Sequence, residues 1–474
     1  LIVRELPLKD PFALYAAIRQ RVRTCFLLES APGPERLAEF TYLGFEPEHI
    51  YTLREGTLFV DGRPLGPVDG DEPLTVLRDV LSVYHMPIEV QQPKYFGGLV
   101  GYISYDFARH LEPLLQRSRP PTNSSFPDFE LGLYLDGVIF DHQAGQAFYF
   151  SHSEDRCEFV RKALRELEVE PQPGRERKAP QLRVGPLESD TSKAEFEANV
   201  TRALGLIREG EVFQLVLARR LRAHFAGDLF AFYAQLRAIN PSPYMFCLEF
   251  ERGSPQQRTI VGSSPEMLVA VRDRTVITYP IAGTRPLGRD AREEARYREE
   301  LLADEKERAE HAMLVDLARN DVGRVSAFGG VRVPELMKVE RFSHVQHLVS
   351  CVEGTLREGL DALDALAALF PAGTVTGAPK LRAMEWIDRL ERSPRGPYAG
   401  VVGYLSLTGD LDTAITIRTL FARGDELYLQ AGAGIVADSI PAREWLETEH
   451  KLQALIAALE IAQGVAERRE GEAR

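Results

Sequence analysis

Two segments carry glutamates three residues apart: Glu307 and Glu310 in DEKERAEH, and Glu444 and Glu447 in REWLETEHK. On a helix, positions i and i+3 share a face, so each pair would set two carboxylates side by side. Were the two faces to meet, the repulsion would call for a hard divalent cation, and Mg²⁺ favours such oxygen ligands. The ordinary explanation competes: surface helices carry many such pairs, and Glu447 with Lys451 has the i, i+4 spacing of a simple salt bridge. The glycines of AGAG at 431–434 could let backbone N–H groups approach an anion, as could the turn at Gly377. AGAG is no dinucleotide fingerprint, because Ala437 stands where G-x-G-x-x-G needs its last glycine. His347, in HVQHLVS, is of a type more often packed or exposed than catalytic, so its surroundings must decide its role.

The elements that must position these groups are outlined by pattern. Thr191 to Glu209 reads as a helix with Thr191 or Ser192 as N-cap and Phe196, Val200, Leu204 and Ile207 at helical spacing. Ala291 to Asp316, rich in Glu, Arg, Ala and Leu, reads as one long helix, and another is expected to start at TGAPK with Thr376 near the cap and Pro379 in the first turn. Helices are also expected over Leu229–Ile239 and Pro441–Gln463. Strand signals run over Phe213–Arg222, Gly400–Leu407, Leu411–Phe421 with Gly409-Asp410 as turn, and Glu426–Gln430 leading into AGAG. Before residue 168 short strands dominate, as in YTLREGTLFV at 51–60 with its Glu55-Gly56 turn and in Leu131–Phe140. A break follows, EVEPQPGRERKAPQLRVG, with three prolines and no apolar periodicity. The expected organisation is therefore an N-terminal region over 1–167, a linker over 168–190, a catalytic region over 191–464 and a polar tail over 465–474. No repeat of 20 to 50 residues marks a solenoid.

The 474 residues carry 57 Lys plus Arg against 70 Asp plus Glu, a net charge of −13, which disfavours nucleic acid and anionic membrane as partners. An anionic substrate must then be held by local cations or a metal. With 44% hydrophobic and 27% charged residues the chain has an ordinary globular composition. No apolar run reaches the ~20 residues of a spanning helix, and the start lacks a secretion pattern, so a cytoplasmic location is expected. Cys25, Cys157, Cys247 and Cys351 stand singly, which predicts buried free thiols instead of a zinc or redox site.

Taken in order, SSPEML, PIAGTRPLG, DEKERAEHAMLVDLARND, SHVQHLVS, GTVTGAPK, AITIRT, AGAGIV and ETEHK resemble the chorismate-utilising enzymes over about Thr191 to Gly464. LLES at 27–30 and FGGLVGYISYD at 96–106 extend the likeness to the N-terminal region of anthranilate synthase component I and its sister, aminodeoxychorismate synthase component I. The resemblance implies an α/β (α+β) fold, an antiparallel β-sandwich core flanked by helices. Family members that add water to chorismate have a lysine where this chain has Gln214, which cannot take a proton. Many aminodeoxychorismate synthases have a nucleophilic lysine where this chain has Ala282. The pair resembles anthranilate synthase, in which ammonia adds at C2 of the ring and pyruvate is then eliminated.

By the same resemblance Glu310 and Glu447 are direct Mg²⁺ ligands, with Glu307 and Glu444 acting through water, and the ion would grip the ring carboxylate. Arg418 and Tyr398, with N–H groups near Gly432 and Gly434, match positions that hold the enolpyruvyl carboxylate. Glu266 matches the acid that protonates the departing C4 hydroxyl, which requires a raised pKa, and His347 matches the residue assisting pyruvate loss. Gly283, Thr284, Thr374 and Lys451 fall at further substrate positions.

LLES with NPSPYMF resembles the tryptophan feedback pocket of anthranilate synthase, lined by Glu29, Ser30, Pro243, Tyr244 and Met245. NPSPY is also a reasonable rigid turn, and related enzymes hold a tryptophan that does not regulate. Cys247 stands where an aromatic is common. No cysteine lies in G-x-C-x-G, so ammonia must come from a separate glutamine amidotransferase subunit or free ammonium. Aminodeoxychorismate synthase, an enzyme that stops at aminodeoxyisochorismate, and an inactive tryptophan-binding subunit remain as alternatives.

Overall fold

Strands form the frame, and most are apolar on both faces because each sheet is covered twice. Gly98–Ile103 (GLVGYI) and Phe129–Tyr134 (FELGLY) are buried at every residue. The computed structural model describes residues 1–30, 39–70, 72–85, 94–115, 126–168, 181–342 and 345–464. Most of the expected linker (169–180) and the expected tail (465–474) lie outside the described residues.

Two antiparallel sheets of thirteen and twelve strands are formed among the described residues. Phe26, Phe246 and Ile260 of the first pack with Leu99, Val269 and Tyr404 of the second in one apolar layer. Helices Pro11–Arg19, Cys157–Glu168, Phe230–Ile239 and Pro441–Ala462 cover the outer face of the first sheet. Helix Glu305–Val325 lies against strand Val345–Thr355 of the second. Each sheet is a block of strands from before residue 168 joined edge to edge to a block from after residue 181. The seams are Cys25–Glu29 on Tyr244–Phe250 and Gly98–Ile103 on Val401–Ser406. At the second seam Gly101 opposes Gly403, and a Cβ at Gly101 would fall 2.0 Å from the Glu130 carbonyl oxygen, so only glycine fits. Arg258 and Glu130, 5% and 0% exposed, form a bidentate pair across the halves at 2.7 and 2.6 Å.

Several expected elements are divided where the chain passes between sheets. Leu131–Phe140 spans two strands, Phe129–Tyr134 in the second sheet and Asp136–Asp141 in the first. Leu411–Phe421 likewise splits into Leu411–Ile415 and Thr419–Arg423, with Arg418 at φ 51° in the crossing. Alongside it Arg258–Ser264 crosses to Met267–Arg272 through Pro265 and Glu266. The expected helix Ala291–Asp316 is two, Ala291–Ala303 and Glu305–Val325, because Asp304 is extended and its carboxylate caps the N–H groups of Lys306 and Glu307. At TGAPK, Gly373–Thr376 is a short turn of its own, and Pro379 is the N-cap of Lys380–Leu390. Ser192 caps Lys193–Arg208, as one of the two expected residues. The strand expected to end before AGAG continues through it as Glu426–Ile435. All four cysteines are free and buried.

Candidate active site

The two side-by-side crossings deliver Glu266 and Arg418 to the same place. A cavity of about 240 Å³ there is lined by Glu266, Ala282, Thr284, His347, Thr374, Tyr398, Arg418, Gly432, Gly434 and Lys451. Ile415 N donates to the Glu266 carbonyl at 3.0 Å, tying one crossing to the other. Burial pushes the Glu266 carboxyl up to about 7, against the opposing pull of Thr374 and the Lys451 charge. Thr374 Oγ1 is buried beside the Glu266 carboxyl, whose ionised form it favours.

His347 Nδ1 lies 2.9 Å from the Gly283 carbonyl oxygen and 3.2 Å from Thr284 Oγ1. A carbonyl only accepts, so Nδ1 carries the hydrogen and Nε2 is left as the basic nitrogen. Burial lowers the imidazole pKa, and the nearby Arg418 charge adds to this against the Gly283 bond, which keeps the ring neutral. Gly283 itself does not line the cavity; at φ 67° it turns the strand Ile281–Pro286, and a Cβ there would meet Leu301 at 3.0 Å and Glu307 at 3.2 Å. Lys451 Nζ donates to the Gly432 carbonyl at 2.9 Å and pairs with Glu447 at 2.7 Å. A Cβ at Gly432 would meet Tyr398 Oη at 3.1 Å, so the glycine makes room for the tyrosine. Burial lowers the pKa of the Arg418 guanidinium, with Tyr398 and Glu447 opposing, and raises that of Tyr398.

The four glutamates lie on inward stripes. Glu307 and Glu310 share the face of His311 and Leu314, and Glu444 and Glu447 that of Thr448 and Leu452. The Glu310 pKa is raised by burial first and then by Glu307, with Glu447 and Glu444 adding, so the two helices turn their acids toward each other. Glu444 is raised by burial and by Glu447. Among the described residues no three acidic, histidine or cysteine side chains converge into a ready metal cage. Glu447 is held by Lys451, and Glu307 by Arg285 at 3.5 Å. Carboxylates facing one another across two helices are nonetheless a donor set suited to a hard divalent cation.

Gln214 does not line the cavity but stands beside Gly434, which does: its Nε2 is 3.0 Å from where a Cβ of Gly434 would sit, and its Oε1 is buried without a partner among the described residues. Gln430 lines the cavity and was not singled out from sequence, although the two-residue period of a strand puts it on the face of Gly432 and Gly434.

A second pocket sits at the seams, where Met245 pairs with Glu29. Glu29, Ser30, Tyr244 and Met245 line it, with Tyr42, Arg272, Tyr404 and Asp412; Pro243 is not among its walls. Tyr233 and Arg237 donate to Glu29 at 2.5 and 2.8 Å. Asp412, which no sequence signal marks, accepts from Tyr244 at 3.0 Å, and burial raises its pKa.

The sequence matches the family described as chorismate binding enzyme over residues 23–457. The chain belongs to the chorismate binding enzyme family. Among curated members, "Anthranilate synthase component 1" of Methanothermobacter marburgensis is 46% identical over 97% of this chain and 94% of its own length. The protein of the same name from Thermus thermophilus is 42% identical over 96% of each. Anthranilate synthase component I of Streptococcus pneumoniae superposes with a TM-score of 0.74 at 36% identity, covering 88% of this chain and 92% of its own. The menaquinone-specific isochorismate synthase of Escherichia coli, at 24% identity and TM-score 0.70 over 97% and 94% of the two chains, shares the fold. Placed on this family, the cavity between the crossings is the candidate chorismate site.

Proposed function

We propose that this chain converts chorismate and ammonia into anthranilate and pyruvate, as the large subunit of an anthranilate synthase. The observation that carries the reading is the pairing, in one cavity, of a carboxyl with a pKa of about 7 and a neutral histidine, beside a wall that is alanine at 282. Ala282 offers no amine for covalent attack, and the amide of Gln214 cannot deprotonate water, whereas ammonia carries its own lone pair.

Protonated Glu266 gives its proton to the C4 hydroxyl, which leaves as water while the nitrogen of ammonia bonds to C2; the new ammonium then sheds one proton, which restores the Glu266 acid. The C2 proton then leaves the ring, the C–O bond to the enolpyruvyl group breaks, and a proton reaches the enolpyruvyl methylene carbon to give pyruvate; His347 assists through Nε2 and the ring becomes aromatic. Arg418, Tyr398 and the N–H groups near Gly432 and Gly434 hold the enolpyruvyl carboxylate, a grip well suited to a guanidinium. Thr284, Thr374 and Lys451 complete the substrate contacts. Glu310 and Glu447 would hold Mg²⁺ directly, and Glu307 and Glu444 through water. Bound there, the ion supplies positive charge to the ring carboxylate.

Incubation with chorismate, Mg²⁺ and ammonium, with the aromatic product identified by mass and fluorescence and pyruvate assayed, tests the reading. Anthranilate with stoichiometric pyruvate is expected; aminodeoxychorismate, or an amino intermediate without pyruvate, overturns it. With glutamine in place of ammonium, activity should need a glutamine amidotransferase subunit as partner. L-Tryptophan is proposed to bind the seam pocket and inhibit, with Ser30 and Met245 contacting it, and the enzyme is read as cytoplasmic.

A further inference from the structure

A second and larger cavity, about 480 Å³, lies further along the same two strands that wall the active site. Arg220 pairs in register with Gln430, and the two side chains meet there: Gln430 lines the active cavity, while Arg220 lines the second one. Arg222, His224, Arg423 and Tyr428 also line it, with the carboxylates of Glu188 and Glu426.

Arg220 is 6% exposed. Its Nε donates to Gln430 at 3.1 Å, its Nη2 to the carbonyls of Pro394 and Arg395 at 2.5 and 3.2 Å, and its charge lies 3.9 Å from the Tyr428 ring centroid. Arg222 donates to Ser393 Oγ at 2.6 Å. All these partners are neutral. Among the described residues no carboxylate forms an ion pair with either guanidinium, although Arg19, Arg258 and Arg395, buried like Arg220, each have one; Arg222 is exposed. A buried charge is costly unless paired, and two guanidiniums two residues apart on one strand face leave their charge directed at an open cavity.

We propose that this cavity is an anion site, taking a small phosphate- or carboxylate-bearing metabolite whose oxyanion bridges Arg220 and Arg222. Guanidiniums suit both groups because their paired N–H donors match two oxygens at once. An anion there competes with Gln430 for Arg220, so occupancy alters the wall of the neighbouring active cavity. The kinetic consequence, a changed KM for chorismate, rests on the proposed function; the binding does not.

Titration calorimetry of the full chain with inorganic phosphate and, separately, benzoate, at ionic strength fixed with sodium chloride, tests the site. Saturable binding with a Kd between about 10 μM and 1 mM is expected for at least one anion. Phosphate alone would assign the phosphate class, benzoate alone the aromatic carboxylates. Arg222→Gln, at an exposed position that should fold normally, is expected to weaken binding at least ~10-fold, and Arg222→Lys less. Arg418→Gln should leave it unchanged. Absence of saturable heat with both anions overturns the proposal, as does binding that survives Arg222→Gln but is lost in Arg418→Gln.

Discussion

In the proposed mechanism Glu266 has to be an acid at neutral pH, and burial raises its pKa to about 7. Its protonated form is full below about pH 7 and lost above, so kcat/KM should fall as pH rises through about 7, measured with ammonia concentration held constant. The same shift has a thermodynamic sign. The folded state raises this pKa above its unfolded value, so ionisation weakens folding progressively from the ordinary glutamate range up to about pH 7. Glu266→Gln should therefore lose activity yet be more stable than wild type at pH 8 by ~2 kcal/mol, read by urea denaturation. Unchanged stability would mean the carboxyl is already relaxed by solvent. Ala282→Lys places an amine on the cavity wall and should impair ammonia addition, with a covalent adduct visible in intact-mass spectra. Much of this site was legible as motif resemblance, because catalytic groups must be of one chemical type. Gln430, Arg220 and Asp412 were not, since a glutamine, an arginine or an aspartate in a strand has no local signature and acquires its role only from the neighbours that tertiary structure supplies.

The helices hold these groups in turn by caps and clamps. Arg219, 2% exposed, donates to Thr448 at 2.8 Å, pairs with Glu449 and lies 4.0 Å over the Trp445 ring. It thereby fixes the rotation of the helix that presents Glu444, Glu447 and Lys451. Arg219→Ala should cost roughly 3 kcal/mol through lost packing on Trp445 and the lost hydrogen bond to Thr448, checked by thermal unfolding. Gly432→Ala should leave the fold intact but raise KM for chorismate by on the order of 10-fold, because the new methyl meets Tyr398 Oη and the Leu217 carbonyl. Equal KM in that variant would remove Tyr398 from the substrate contacts. Element type was read correctly wherever apolar periodicity was strong, as in Lys193–Arg208 and Pro441–Ala462. It failed at the sheet crossings. A strand that changes sheets keeps its apolar pattern throughout, so the sequence shows one run where the fold has two strands and a functional bend.

At the scale of the molecule the seams decide how the halves behave. Arg258→Ala leaves Glu130 buried and unpaired, and should destabilise by roughly 3 to 5 kcal/mol, whereas replacing both partners with apolar residues should cost far less. The seam pocket contacts strands of both halves, so a ligand bound there stabilises their union. L-Tryptophan at about 100 times its Kd should add ~2.7 kcal/mol and raise the Tm, and Ser30→Phe should abolish both that gain and the inhibition while sparing catalysis. A Tm indifferent to tryptophan would remove the pocket reading.

The order of synthesis gives the seams a further meaning. Cys25–Glu29 and Gly98–Ile103 leave the ribosome long before Tyr244–Phe250 and Val401–Ser406, which complete their sheets. At ~5 to 20 residues per second, the nascent chain carries two open, apolar strand edges for on the order of tens of seconds. Such edges are templates for pairing with another chain. Crowded polysomes are thus where this protein is most exposed to aggregation, and a holding chaperone bound to the emerging N-terminal half would raise its folded yield more than any aid given after release.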